Sequence, residues 1–330
     1  MSNTGIILTL AYPETIVMVS KEWFSPYLRF LGVGKKNYLM AGHAALVLIN
    51  KETCVLEYHD FGRYITSEPH GRVRGKDTDN ELDFPLMARI KDGNIENLNE
   101  ILEFLGTHPK LTHGDGKLVA SVCNAIDYHK ARTHITHMQE QHFIRYAAFI
   151  KNACNCARFV TDTLIASVTD LKIKKKLEIS NWFTPSTVGN VLLANTEAHA
   201  FEVSQTGVIS KYSGSQKSEN RRCFLDKLES HQPNFIGTLQ PKPVAGVHEN
   251  AQWLSGIAAG AWFELHETTN NSHYRFRRIS PHGNIDVDAE YKIDNNNFNY
   301  HKPFEFVHYS NCKFFHVKQD GVVFRFERVV

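Results

Sequence analysis

The run Gly42-His43-Ala-Ala-Leu-Val-Leu-Ile constrains this chain more than any other segment. Ala44–Ile49 is an unbroken apolar stretch between a glycine and the polar turn Asn50–Thr53. Such a run reads as a strand buried on both faces. Cys54–Phe61 follows as a second strand, so the pair forms a hairpin. His43 opens the first strand, where a polar side chain can reach across a cleft.

Around that hairpin the pattern is mixed. Residues 5–19 predict a strand interrupted near Pro13, and 21–31 a short aromatic-rich helix ended by Gly32 and Gly34. Residues 66–80 read as a loop and 83–90 as a strand. Residues 96–105 have helical apolar spacing, closed by His108-Pro109. Residues 117–130 fit a strand or the start of a helix. Residues 155–167 (NCARFVTDTLIAS) predict a helix capped by Asn155, with Phe159, Val160, Leu164 and Ile165 on its apolar face. Lys172–Lys176 is a charge cluster expected near a helix C-terminus, where it suits the macrodipole. Beyond about residue 190 short alternating segments recur, and 253–330 read as several short strands. The expected fold class is α+β, an antiparallel sheet packed on helices with a smaller β-rich C-terminal domain. The expected organisation is a first domain over 1–190, a connecting region over 191–250 and a β-rich domain over 251–330.

Charge excludes little but argues against two partners. With 37 basic and 35 acidic residues, the net +2 gives no strong field for nucleic acid or an anionic membrane. Eighteen histidines make the charge sensitive to pH near neutrality. The N-terminus has no basic region before its apolar run, and Pro13 and Glu14 break that run, which does not fit a signal peptide. No stretch reaches the roughly 18 apolar residues that span a bilayer. Six cysteines without such a leader read as reduced thiols. The expectation is a cytoplasmic protein, with export by a route that needs no cleaved leader still open.

The chemistry concentrates in Asn155-Cys156 and the hairpin. A cysteine at a helix start lies near unsatisfied backbone N–H groups and the positive dipole end, which favours thiolate. Its own N–H can face a developing oxyanion. A thiolate needs a base, for which His43 is the candidate, and the base needs a third group to orient it. Val55, Glu57 and His59 share one face of the second strand, and Glu57 is the first choice for that third group, with His59 second. Asn155 and Arg63 are possible supporting residues.

These segments resemble a known group. NCARFV is similar to the Asn-Cys-x-x-Phe-Val motif of lecithin:retinol acyltransferase-like proteins, in the permuted branch of the NlpC-type, papain-like superfamily. There a histidine opens one strand, a second polar residue sits on the next, and the cysteine follows at a helix start. His43 and Cys156 match the first and last positions, and Glu57 stands where the acyltransferases carry a second histidine. The resemblance covers residues 38–62 and 143–167 and implies a permuted papain-like domain. A glutamate-like third residue favours hydrolase over acyltransferase. The chain also resembles a bacterial family in which this hairpin runs into a DFGRY-like segment, here Asp60–Tyr64.

The function expected is a cysteine-dependent amidase or peptidase-like hydrolase. The alternatives are a lipid or amide acyltransferase, and a non-catalytic scaffold of papain-like fold. The substrate is an unspecified peptide, amide or acyl compound, and the C-terminal β domain is a possible site for a protein partner. No cofactor is expected. Cys154-x-Cys156 and the histidines His129, His134, His137 and His142 lack the further ligands a metal site needs. Arg63, Arg72 and Arg74 can line the cleft and bind a carboxylate or phosphate. Trp253, Trp262 and Phe263 read as sheet core.

Overall fold

The structure, a computed structural model of the 330-residue chain, describes residues 3–35, 37–229, 231, 238–270, 272–295 and 297–329. Its centre is an eight-stranded antiparallel sheet. The strands run in the order Ile144–Arg145, His70–Arg74, Leu56–Gly62, His43–Asn50, Gly5–Tyr12, Leu118–Ile126, Phe201–Val203 and Ile209–Lys211. Gly5–Tyr12 and His43–Asn50 lie at the middle, which explains their near-continuous apolar sequences: neither face meets water. Ile7, Leu46, Leu48 and Phe61 face one layer, under the helices Tyr128–Glu140 and Cys156–Ser167. Ile6, Leu8, Ala45, Val47 and Tyr58 face the other, against Ile101, Leu102 and Leu105 of the helix Leu98–Thr107.

Two local features fix the elements that matter most. In the hairpin turn the Asn50 side chain accepts from the N–H groups of Glu52 (2.8 Å) and Thr53 (3.3 Å), and the register pairs Ala45 with Asp60 and Leu48 with Glu57. At the helix Cys156–Ser167, the Asn155 Oδ1 accepts from the Arg158 N–H at 2.9 Å, the expected cap.

Several segments differ from the sequence pattern. Residues 66–80 contain the strand His70–Arg74, because Arg72 and Arg74 point inward onto carboxylates instead of into water. Residues 83–90 supply only the start of a two-residue ribbon, Ile90–Lys91 with Asn94–Ile95. Leu118–Ile126 is a strand that ends at Asp127, which caps the helix Tyr128–Glu140. Lys172–Lys176 lies in the first half of the helix Leu171–Asn181, behind its Asp170 cap, so it faces solvent and not a C-terminal dipole end. Within 191–250, two strands, Phe201–Val203 and Ile209–Lys211, extend the first sheet.

The C-terminal part is a separate seven-stranded antiparallel sheet in the order Gln252–Leu254, Ala261–Glu267, His273–Ile279, Ile285–Ile293, Val322–Arg328, Phe314–Gln319 and Glu305–Phe306. The Gln252 side chain bonds the Phe304 carbonyl (2.9 Å) and the Phe306 N–H (2.8 Å), drawing the two end strands together into a barrel-like form. Its core is aromatic: Phe276 stacks on Phe315 at 4.3 Å and Phe315 on Phe326 at 4.5 Å. Phe263 is buried in that core, whereas Trp253 and Trp262 pair edge-on beside it. Among the described residues no helix is long and apolar enough to cross a membrane.

The second sheet docks on the strip that follows Asp60. The Ala258 N–H donates to the Arg63 carbonyl (3.0 Å) and the Ile65 N–H to the Ala259 carbonyl (3.3 Å). Arg278, 1% exposed, bonds Asp79 (3.1 Å), Glu81 (2.8 Å) and Asp286 (3.0 Å), and Asp79 is also held by both arms of Arg72 at 2.6 Å. Removing one partner from a buried ion cluster leaves the others uncompensated. Arg278→Ala is expected to lower unfolding free energy in urea by about 3–5 kcal/mol; a loss below about 1 kcal/mol would show that the cluster is water-relaxed.

Candidate functional site

His43 enters its strand from Gly42, whose φ of +74° favours glycine; a Cβ there would come within 3.0 Å of Thr187 Oγ1 and 3.1 Å of the Pro13 Cα. The imidazole stacks on the Tyr12 ring. Its Nε2 lies 3.1 Å from Asp60 Oδ2. The register explains this contact. Ala45 faces Asp60, so His43 and Asp60 lie on the same face, one diagonal step apart across the hairpin.

The Asp60 carboxylate is fully buried and fully engaged. Arg74 donates to it twice, Nε to Oδ1 at 2.9 Å and Nη2 to Oδ2 at 2.7 Å. Tyr64 Oη (2.9 Å) and Tyr58 Oη (3.2 Å) donate to the same Oδ2. Arg74 lies 3.9 Å over the Tyr64 ring, which holds both donors in place. Burial raises the Asp60 pKa, but Arg74 and His43 outweigh it and hold the carboxyl well below the usual range.

Cys156 is the first residue of its helix and hydrogen-bonds His43 through its side chain. With Nε2 engaged by Asp60, Nδ1 is the ring nitrogen left for the sulfur. Burial lowers the His43 pKa, yet the bonds to Asp60 and Cys156 raise it from 6.5 to about 9. Burial likewise raises the Cys156 thiol, but His43 and the backbone N–H groups of Ala44 and Ala157 bring it below 9.0. The pair therefore favours thiolate and imidazolium. By contrast, burial pushes Cys123 and Cys223 up to about 11, Cys312 to about 12 and Cys154 higher still. Tyr146 also places its phenol in hydrogen-bonding reach of Cys156.

Glu57, expected to orient His43, does not reach it. It pairs with Leu48, five residues along the strand from His43, a span of about 17 Å at about 3.4 Å per residue. It also faces the opposite side of the sheet, where it accepts from Tyr128 Oη and pairs with Arg132 at 3.2 Å. His59 shares that face and bonds the Arg74 carbonyl through Nδ1 at 3.1 Å, so the second choice fails as well. Asp60 is the carboxylate that bonds the ring instead. Reflecting the sequence about the Lys51–Cys54 turn maps His43 onto Gly62 and leaves Asp60, not Glu57, on its face; Tyr64 and Tyr146 carried no such local signal, whereas Arg74, expected to bind a carboxylate, binds that of Asp60. Asn155 is the helix cap, and its Nδ2 donates to the Ala147 carbonyl at 3.2 Å. Arg63 lies 4.4 Å over the Tyr146 ring and donates to the Met18 carbonyl. Arg72 and Arg74 spend their forks on Asp79 and Asp60, so neither presents an open fork to an anion. Among the described residues no group of three or more His, Cys, Asp or Glu is placed to hold a metal.

Two cavities meet at Cys156. One of about 460 Å³ is lined by Cys156 but not His43, and lies among Pro13, Met18, Leu39, Phe149, Phe183 and Val188. The other, of about 410 Å³, includes both Cys156 and His43, with Arg63, Lys110, His113 and Asp115. Ile257 and Ala258 of the C-terminal part close the second cavity.

Residues 7–173 match the family described as type VI secretion system effector TseH-like, just over half of the chain, and the chain belongs to that family. Residues 251–329 match the DUF6695 C-terminal domain. A solved structure titled as the type VI secretion system effector TseH aligns with a TM-score of 0.42 at 18% identity, covering 64% of this chain and 98% of that one. No curated protein matches the chain.

The geometry predicts one unusual thiol. Iodoacetamide at about pH 6–7 should alkylate Cys156 far faster than the other cysteines, and His43→Ala should slow it by at least about tenfold. Asp60→Asn should lower the pH at which His43 loses its proton from about 9, whereas Glu57→Gln should leave it in place. Both outcomes are read from alkylation rate against pH followed by peptide mass mapping. An effect of Glu57→Gln matching that of Asp60→Asn would contradict the assignment.

Proposed function

From membership of the TseH-like effector family, we propose that this chain is a cysteine-dependent hydrolase of permuted papain-like type, with Cys156 as nucleophile, His43 as base and acid, and Asp60 as the orienting carboxylate. The observation that carries the reading is the continuous hydrogen-bonded line from the Cys156 thiol through His43 to the buried Asp60, with the thiol at a helix N-terminus.

The steps follow from the positions. The thiolate attacks a carbonyl carbon and forms a C–S bond. The developing oxyanion meets the first-turn N–H of Cys156 and the Tyr146 phenol. His43, protonated at both nitrogens, gives its Nδ1 proton to the leaving nitrogen, oxygen or sulfur as that bond breaks. A water then enters, loses a proton to His43 and hydrolyses the thioester, restoring the thiolate–imidazolium pair. Asp60 keeps its charge throughout, because Arg74 and two tyrosines stabilise the buried carboxylate.

The order His43, Asp60, Cys156 along the chain is permuted relative to the nucleophile-first arrangement. An effector acts outside the cell that makes it, so the family's description favours secretion over a resident cytoplasmic role. Hydrolysis is favoured over acyl transfer because the group that bonds His43 is a carboxylate, Asp60, where the acyltransferases use a second histidine.

The test is turnover of an activated ester, 4-nitrophenyl acetate, by the full chain. Cys156→Ala and His43→Ala are each expected to lose about a thousandfold or more, and the double variant little further, since the two act as a unit. Asp60→Asn is expected to lose about 10²–10⁴-fold. Turnover that survives Cys156→Ala would refute the proposal.

A further inference from the structure

Among the described residues the buried arginines are Arg63, Arg72, Arg74 and Arg278. All but Arg63 clamp carboxylates. Arg72 holds Asp79, Arg74 holds Asp60, and Arg278 holds Asp79, Glu81 and Asp286. Arg63 is 7% exposed, yet no described carboxylate pairs with it; its side chain donates to the Met18 carbonyl and lies over the Tyr146 ring. Glu68, which lines a small pocket with Arg63, pairs with Lys21 at 2.6 Å instead. A buried guanidinium without a carboxylate is rare, because no counter-charge offsets its desolvation. Burial accordingly pulls the Arg63 pKa below its ordinary value.

The unspent donors of Arg63 face open space. A guanidinium carries more N–H groups than the Met18 carbonyl can take, and none of the Arg63 nitrogens is sealed in protein without a partner. The space beside it is the cavity of about 410 Å³ that contains both Cys156 and His43. The imidazolium must deliver its proton to the leaving group, so the leaving group occupies this cavity. Arg63 therefore stands where the departing half of a substrate sits. Asp115 is the single acidic residue lining the same cavity, and it disfavours a ligand with a second negative charge. A carboxylate carries one charge on two oxygens that match the guanidinium fork, whereas a phosphate monoester carries nearly two charges at neutral pH.

We propose that Arg63 binds a carboxylate on the leaving group, which makes the substrate an acyl derivative of a carboxylate-bearing amine or alcohol. This rests on the hydrolase reading above and names the leaving-group class for the same site. Cys156 Sγ bonds the acyl carbon, the bond to the leaving nitrogen or oxygen breaks, and that atom takes the His43 proton. The carboxylate is unchanged by the reaction and supplies the counter-charge that Arg63 lacks. Water then hydrolyses the thioester, and no further reactant is required.

The test compares the acetyl esters of 4-hydroxybenzoate and 4-hydroxybenzamide with the full chain and its Cys156→Ala, Arg63→Met and Arg63→Lys variants. The acyl group is shared, so the ratio of the two kcat/KM values reads the leaving group. The wild-type chain is expected to favour the 4-hydroxybenzoate ester by about 10–100-fold, the strength of a charge-assisted pair. Arg63→Met should cut that ratio at least about tenfold, and Arg63→Lys, which keeps the charge but not the fork, should cut it less. A second readout needs no variant: free 4-hydroxybenzoate should slow iodoacetamide alkylation of Cys156 in a saturable manner, and 4-hydroxybenzamide should not. A ratio near one with Cys156-dependent turnover, a ratio that Arg63→Met leaves in place, or alkylation indifferent to the acid overturns the carboxylate assignment and leaves the hydrolase standing. Faster turnover of the acetyl ester of 4-hydroxyphenyl phosphate overturns it in favour of a phosphate. Absence of any Cys156-dependent turnover overturns both.

Discussion

A carboxylate that is 0% exposed sits at the centre of this molecule, and its compensation organises what surrounds it. Burying the Asp60 charge alone would be prohibitive. Arg74 supplies the counter-charge through two bonds, and Tyr58 and Tyr64 satisfy the remaining lone pairs. The strand His70–Arg74 is thereby held against the hairpin, and the carboxylate is left with one unfilled electrostatic task, the orientation of His43. The same charge raises the pKa of the imidazole, and the imidazole in turn lowers that of the thiol. Each step depends on the one before it, so the cysteine's character is set at a residue it does not touch.

The compensation continues outward into the second sheet. Arg74 Nη1 approaches Glu81 at 3.9 Å, Glu81 bonds Arg278, and Arg278 also holds Asp79, which Arg72 clamps. Arginines and carboxylates alternate from Asp60 to the C-terminal part with no exposed member except partly Glu81. The C-terminal sheet therefore contributes to the site in two ways. It neutralises the buried acids beneath the cleft, and through Ile257 and Ala258 it forms part of the cavity on the His43 side. Its barrel-like closure by Gln252 and its stacked phenylalanines make it a firm wall.

Much of this was legible in the sequence where the signal was local. The apolar run after His43, the Asn50 turn and the Asn155-Cys156 helix start each state their structure within a few residues, and the β-rich C-terminal part was legible in the short alternating segments over 253–330. Glu57 was misread for a specific reason. Counting residues from His43 identifies a near neighbour in sequence, whereas the hairpin register folds position 43 onto 62 and sends Glu57 to the far end and the other face. The strand His70–Arg74 was illegible because its arginines look like solvent-exposed loop chemistry until Asp60 and Asp79 are known to be buried opposite them. Tyr64 and Tyr146 reach the site only through tertiary packing, and nothing adjacent to them in sequence announces it.

The central claim is that the charge of Asp60 holds His43 as an imidazolium, paired with a Cys156 thiolate. Nitrogen-15 NMR of labelled histidines through a pH titration reads that state directly. The account predicts that both His43 ring nitrogens stay protonated at neutral pH and that the ring titrates near about 9, moving downward in Asp60→Asn and in Cys156→Ala. A His43 ring that is neutral at pH 7, or whose titration is indifferent to Asp60→Asn, would contradict it.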